Sequence, residues 1–328
     1  MNQISVKESK DIGKRVDLFL SEELKISRNQ ILNLIKNGCV SLNSKPILKG
    51  SAKLGLDDVI DVKILESNDE NLNFSAEFEV PTLYEDDDLI VLNKPPNLVV
   101  HPAPSVKEAT LVDWLGKKGF LLSTLSGESR AGIVHRLDKG TSGAIVVAKN
   151  NRSHVALSAQ LSDKTMGRIY LAITDLPLKE ECVIERKIGR NPNNRLKKAI
   201  TIDGRSAKSA FLNLIQESGV NLIAAKLFTG RTHQIRVHLA SINRHILGDT
   251  LYGFKSENDK IKRVMLHAYG LYFTHPNTGK RMEFVAPLWD DFNEILFNKF
   301  NKEIVDEKID FKRLDAIFGS CNHWLCLA

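Results

Sequence analysis

The chain has little cysteine: of 328 residues only Cys39, Cys182, Cys321 and Cys326 are cysteines, and no two form a Cys-x-x-Cys pair. So few, so scattered, they exclude a disulfide framework and make a cytoplasmic protein the expectation. Cys321, His323 and Cys326 crowd one end, but three ligands fall short of the four, or three plus water, that a zinc site uses, so no metal is expected. No apolar run approaches the ~20 residues of a membrane span, and the opening MNQISVKESK lacks the apolar stretch of a signal peptide. A phosphate-cradling G-x-x-x-x-G-K-[ST] loop, a heptad array and an internal repeat are missing too. ATP-driven chemistry and a nucleotide cofactor are therefore not expected, and the working expectation is a monomer.

What is present is ordinary globular material, 42% hydrophobic and 26% charged. At this length a second folding unit is expected, because single cores stop growing near roughly 250 to 300 residues. The net charge of +6 is unevenly spread: residues 1–63 carry 11 Lys/Arg against 8 Asp/Glu, residues 64–88 none against 9, and residues 89–328 carry 35 against 23. Two basic bodies separated by an acidic connector suggest a polyanion partner.

In the first body, Val16, Leu18, Phe19, Leu20 and Leu24 have helical spacing within Lys14 to Leu24. Ser27 reads as the N-cap of a second helix from Arg28 to Asn37, and Gly38 as its stop. VSLNSKPI then reads as alternating residues around an Asn-Ser turn, and DDVIDVKIL as another strand. Between Leu24 and Leu56 the only charged residues are Lys25, Arg28, Lys36, Lys45, Lys49 and Lys53. A merely solvated face gives such a run as well. Over about residues 13 to 63 the helix-turn-helix-then-hairpin layout resembles the S4 RNA-binding module, and that resemblance implies phosphate contacts from Arg28, Lys36 and Lys45. The expected organisation is an S4-like module over 1–63, an acidic linker over 64–80, a catalytic domain over 81–300 and a tail without assigned role over 301–328.

From Pro81 onward LIVLNKP, AIVVAK, RIYLAIT, AKSAFLNLI, LIAAKLF and MEFVAPL are strand-like, while Leu111 to Lys117, Ser153 to Leu161 and Gln234 to Ser241 suit helices. Many strands with interspersed helices indicate an α+β domain with a mixed or antiparallel sheet.

Four segments carry chemistry. IVHRLDKGTSGAIVVAKN, Ile133 to Asn150, reads as strand, turn, strand, with Asp138 in the turn between Arg136 and Lys139. Read alone, a turn aspartate is ordinary hairpin chemistry. Flanked by cations and glycines, it is also a carboxylate that stays ionised and can be reached by a ligand. YEDDDLIVLNKPPNLVVHPAP reads as a strand running into a proline-stiffened loop, from which Lys94 and His101 can present donors to an anion. GRIYLAIT places Tyr170 in a strand, and TGRTHQIRVHLA gathers Arg231, His233, Arg236 and His238, with a helix expected from about Thr232.

In this order, and behind an S4-like module, the four segments resemble the RluA-type pseudouridine synthases from about Tyr84 to Pro287. With the IGRNPNNR stretch, the resemblance is closest to the S4-containing, RluD-like branch that modifies large-subunit ribosomal RNA. Asn97 and Ala103 depart from the pattern, standing where the family commonly has Gly. The resemblance implies isomerisation of uridine to pseudouridine in RNA, on ribosomal RNA or an assembling subunit, with no cofactor. It implies Asp138 as nucleophile, Arg231 as the cation paired with it, and Tyr170 stacked on the uracil. Arg136 would fill the space left by a flipped-out uridine, with Lys94, His101 and Arg236 among the RNA contacts. The competing reading is a noncatalytic RNA-binding or ribosome-assembly factor that retains the fold; it has no need of Asp138, Tyr170 and Arg231 together. A hydrolase built on Asp138 lacks a second carboxylate partner or a metal cluster.

Overall fold

The computed structural model describes residues 2–24, 28–36, 38–63, 76–217, 219–253 and 261–328. The chain divides into two compact units, Met1–Asn73 and Phe74–Ala328. Ser27, read as a helix cap, and residues 64–75 of the acidic connector lie outside the described residues.

The first unit contains strand β1 (Asn2–Ser5), helices α1 (Val16–Glu23) and α2 (Arg28–Lys36), and strands β2 (Val40–Leu42), β3 (Lys45–Pro46) and β4 (Val59–Val62). Val16, Phe19 and Leu20 of α1 and Ile31 and Ile35 of α2 recur at helical spacing, so each helix buries one face, here against Val40, Ile60 and Val62. The sheet runs in the order β1-β4-β2-β3. The Asn-Ser turn forms as read: Asn43 and Ser44 both take left-handed backbone, at φ 50° and 64°, matching the twist of the hairpin they join. One expectation changes. Arg28 donates to the fully buried Asp17 carboxylate at 2.9 Å, which Arg15 also pairs, so Arg28 supports the core of the unit instead of standing free for phosphate. Lys36 and Lys45 are exposed.

The second unit begins with β5 (Thr82–Glu85), β6 (Leu89–Lys94), α3 (Leu111–Lys117), β7 (Ser142–Ala148), α4 (Asn151–Ser162) and β8 (Gly167–Thr174). It continues through β9 (Cys182–Glu185), β10 (Ile188–Arg190), β11 (Lys198–Ile200), β12 (Lys208–Glu217), β13 (Val220–Leu227) and α5 (Gln234–Ala240). It closes with β14 (Leu266–Thr274), β15 (Arg281–Val285), α6 (Asp290–Lys299), α7 (Lys302–Lys308), α8 (Phe311–Gly319) and β16 (Leu325–Leu327). A mixed sheet runs β16-β9-β12-β13-β8-β14-β7-β6-β5, with β15 added on β14. Among the described residues, its β14–β7 and β16–β9 pairs are parallel and the others antiparallel. Both faces of the sheet are covered: Ile90, Leu92, Ile145 and Val147 point into one core, while Leu89, Val91, Ala144 and Val146 point into the other. This is why β6 and β7 read as continuous apolar runs and not as alternating ones.

Two parts were not legible. Strand β14 is interrupted in sequence by Gly270, and a glycine inside an apolar run reads as a break. A Cβ on Gly270 would lie 2.5 Å from the Phe311 ring, so the glycine is where α8 presses on the sheet. The residues set apart as a tail over 301–328 are part of this core: Val305, Leu314 and Phe318 are buried in it, and Leu325 pairs with Cys182 at the sheet edge.

Candidate active site

The segment before Asp138 is irregular, not a strand; only Ile133 bridges to Val147. Its geometry is imposed by burial. His135 and Leu137 point inward, and the His135 Nε2 accepts from the Val146 backbone N–H at 3.1 Å. The intervening residues Arg136 and Asp138 are left facing outward, both lining a cavity of about 760 Å³. The Thr141 N–H donates to the Asp138 carbonyl at 3.0 Å and closes the turn. Lys139, read as a neighbour of the carboxylate, instead pairs with Glu108 at 2.7 Å.

The opposite wall comes from the Thr229–Arg236 stretch. Buried Gln234 shapes it: its side-chain oxygen accepts from Thr229 Oγ1 at 2.7 Å and from the Arg231 backbone N–H at 2.9 Å, while its amide donates to the Lys208 carbonyl and Ser209 Oγ. His233, at φ 59°, turns the chain into α5. The result corrects the sequence reading of the ion pair. Arg231 donates through Nε to the Ser206 carbonyl at 2.9 Å, and the cation beside Asp138 is Arg236, whose Nη1 stands 3.6 Å from Oδ2. Helical geometry explains it: α5 starts at Gln234, so Arg236 in its first turn faces Asp138 while Arg231 stays in the preceding turn. Arg236 is also held by Asp249 through two hydrogen bonds, and is therefore no free RNA contact. Burial works against its charge, but Asp249 and Asp138 more than offset it and raise its pKa.

His233, not assigned a role from sequence, lies 3.9 Å from Asp138 Oδ2 through Nε2 and bonds the Tyr252 phenol through Nδ1 at 2.9 Å. Burial lowers its pKa despite the neighbouring carboxylate, so it is neutral at pH 7. Tyr252 also accepts from the Lys198 backbone N–H at 2.7 Å and lies under the Arg236 guanidinium, 4.9 Å from the ring centroid. No motif spacing points to Tyr252, because it reaches the site from 18 residues beyond α5's start only through the fold.

Tyr170, on β8, lines the cavity and is nearly buried, with its phenol pKa raised by that burial. His101 also lines the cavity, but burial and the charges of Arg136 and Arg130 push its pKa down to about 4, so it offers no positive charge to phosphate. Lys94 differs more sharply from expectation. It is fully buried, and its ammonium donates to the carbonyls of Pro95 and Leu98 at 2.8 Å each and of Lys139 at 3.4 Å, tying the proline loop to the Asp138 turn. Asn97 takes the left-handed φ of 63° that glycine would supply, which asparagine tolerates. His238 is buried against Ser209 Oγ and the Arg186 carbonyl.

Among the described residues, the metal-type ligands that come together are Asp86, Asp88 and His275. Asp86 is already engaged by Tyr84, His275 and two backbone N–H groups, and Asp88 by Asn150 and Ser153. That cluster serves as a hydrogen-bonded corner of the sheet.

Residues 88–241 match the family model described as RNA pseudouridylate synthase. The chain is 50% identical over 309 residues to an uncharacterised RNA pseudouridine synthase of Helicobacter pylori strain J99, covering 92% of this chain and 94% of that one. It is 40% identical over 297 residues to the ribosomal large subunit pseudouridine synthase D of Neisseria meningitidis serogroup A, covering 87% and 78%. Among solved structures it resembles human RNA pseudouridylate synthase domain containing 1, with a TM-score of 0.52 at 25% identity over 64% of this chain and 84% of that one.

Proposed function

Because the chain belongs to the RNA pseudouridylate synthase family, we propose that it converts specific uridines of large-subunit ribosomal RNA to pseudouridine, with Asp138 as the nucleophile. As an RNA pseudouridine synthase it is an isomerase: the N1–C1′ bond of uridine opens, the base turns, and C5 joins C1′. The observation that carries the residue assignment is the Asp138 carboxylate in the cavity wall, faced by Arg236 at 3.6 Å and by neutral His233 at 3.9 Å. Both groups face Oδ2, and the other carboxylate oxygen is the one placed to attack. Arg236 thus takes the role first read for Arg231.

A uridine in a stem must leave the stack, at a cost of a few kcal/mol, before its glycosidic bond is reached. Exposed Arg136, two residues from the nucleophile, is suited to fill the gap. Tyr170 offers a ring to the extruded base and a phenol for the final proton transfer. The first unit docks the RNA through Lys36 and Lys45, as in an S4 module, and exposed Arg190 and Arg195 of the β10–β11 ribbon add backbone contacts. The large-subunit target is supported by the name of the Neisseria meningitidis relative.

Mapping pseudouridines by carbodiimide-dependent reverse-transcription stops in a deletion strain tests both parts. Stops missing from large-subunit RNA, restored by the wild-type chain and not by D138N, are the expected result. Restoration by D138N excludes Asp138 as nucleophile; an unchanged large-subunit map excludes that RNA as the target.

A further inference from the structure

Arg168 lies on β8 two residues before Tyr170, so the two side chains share one face of the strand, and both line the cavity that Asp138 faces. Arg168 is 7% exposed, yet it makes no hydrogen bond and no ion pair among the described residues, and its Nε is buried without a partner. Two neighbouring arginines are compensated: half-buried Arg236 by Asp249 and buried Arg263 by Asp291. Removing a guanidinium from water without a counter-charge costs several kcal/mol. Among the described residues, six buried side-chain polar atoms lack a protein partner, and four of them belong to residues on the wall of this one cavity, His101, His135, Thr141 and Arg168. An unmet guanidinium beside a cavity marks a place for an acceptor brought by a ligand. Gly230 keeps the guanidinium accessible, since a Cβ there would stand 3.0 Å from its Nη1.

We propose that Arg168 is a catalytic residue that holds the extruded uracil by a carbonyl oxygen and stabilises the base as it departs with negative charge. This rests on the isomerase reading above. As the Asp138 carboxylate bonds to C1′, the N1–C1′ bond breaks and its electron pair stays on the base, giving a uracil monoanion whose charge spreads to its two carbonyl oxygens. C5 then returns a pair to C1′ and displaces the Asp138 carboxylate, the C5 proton leaves to solvent through a base in the site, and N1 gains a proton, so no oxidant or further reactant is needed. A preorganised cation in a water-poor wall stabilises such a developing charge most. An RNA phosphate is the other anionic oxygen available, and the surroundings favour the base. Tyr170, Leu227 and Leu266 line the cavity together with Arg168 and suit a flat ring, whereas Arg130, Arg136 and Lys164 line it while exposed, where a hydrated phosphodiester can reach them.

The test compares wild type, R168M, R168K and D138N in full-length protein. It measures single-turnover consumption of the target nucleoside in a stem-loop RNA, and the affinity for that RNA across salt. R168M should lose about 10²- to 10³-fold in rate, with affinity and salt slope kept, and R168K should recover part of the loss. With 5-fluorouridine at the target position, whose fluorine already stabilises the departing anion, the R168M loss should shrink by about tenfold. An unchanged rate, an equal loss on both RNAs, or a loss residing in affinity with a salt slope lower by about 0.7 to 0.9 overturns the proposal, the last in favour of a phosphate contact. Should R168M not fold, R168K decides: a reduced rate at wild-type affinity supports the proposal, and a wild-type rate or a pure affinity loss overturns it. Turnover by D138N would sink the nucleophile assignment alone, leaving the Arg168 comparison to be read by itself.

Discussion

Arg236 Nη1 stands 3.6 Å from Asp138 Oδ2 while Nε and Nη2 of the same guanidinium are bound by Asp249 at 2.7 and 2.8 Å. Asp249 is almost fully buried and orients the fork. The Asp138 carboxylate therefore faces a fixed positive charge without being locked in a two-point ion pair.

Replacing Arg236 should hurt twice. R236A leaves Asp249 buried and unpaired, expected to cost about 3 to 5 kcal/mol in urea unfolding. R236K keeps a charge and loses the fork, so its isomerisation rate should fall by about 10²-fold. R231A, which removes a bond to the Ser206 carbonyl, should stay within about tenfold of wild type. Single-turnover rates decide; a larger loss from R231A than from R236K would return the pairing role to Arg231.

Lys94 makes a pH prediction. Burial, partly countered by the Asp138 charge and reinforced by that of Arg263, lowers its pKa from 10.5 to about 7. Between those values the unfolded chain binds the proton and the folded one releases it, so this group's contribution to stability rises with pH through that window. K94M removes the titration but leaves the Pro95 and Leu98 carbonyls without their donor. Thermal melts from pH 6 to 10 should show K94M closest to wild type at pH 6 and falling progressively behind. A gap independent of pH would mean Lys94 keeps its proton when folded.

Gly143 combines φ 113° with a close approach: a Cβ there would sit 2.2 Å from the Ala268 carbonyl oxygen, on the parallel β7–β14 pair. G143A should separate these strands and cost more than about 4 kcal/mol, the range reserved for backbone strain and core disruption. Urea denaturation, or loss of soluble protein, reads the effect. A cost below about 1 kcal/mol would contradict it.

Lys36 and Lys45 are exposed in the first unit, whereas Arg28 is held by Asp17. The double variant K36A/K45A should weaken binding to a structured RNA and lower the magnitude of the salt slope by about 1.4 to 1.8, with single-turnover rate at saturating enzyme unchanged. R28A should act through unfolding stability. An unaltered salt slope would remove these lysines from the RNA surface.

Much of the site was readable because its segments are contiguous: the Asp138 turn, Tyr170 on its strand, and the cluster from Arg231 to His238. What spacing could not settle was which of two arginines, five residues apart, meets the carboxylate. That depends on where α5 begins, and a left-handed His233 sets that start at Gln234, two residues after the Thr232 start expected for the arginine cluster. Lys94 was misread for a related reason: a lysine after a strand looks solvated until three backbone carbonyls converge on it. Arg168 was legible only as the arginine two residues before Tyr170, since a missing partner is visible only in three dimensions.

The order of residues by itself determined the helices of the first unit, the buried strand after Asp138 and the presence of a turn carboxylate, because periodicity and turn chemistry are local. Only the tertiary structure decided that 301–328 completes the core, that Gly270 seats Phe311, and that Arg236, His233 and Tyr252 converge where they do. Those outcomes follow from packing and charge between residues distant in the chain, and such interactions leave no pattern along it.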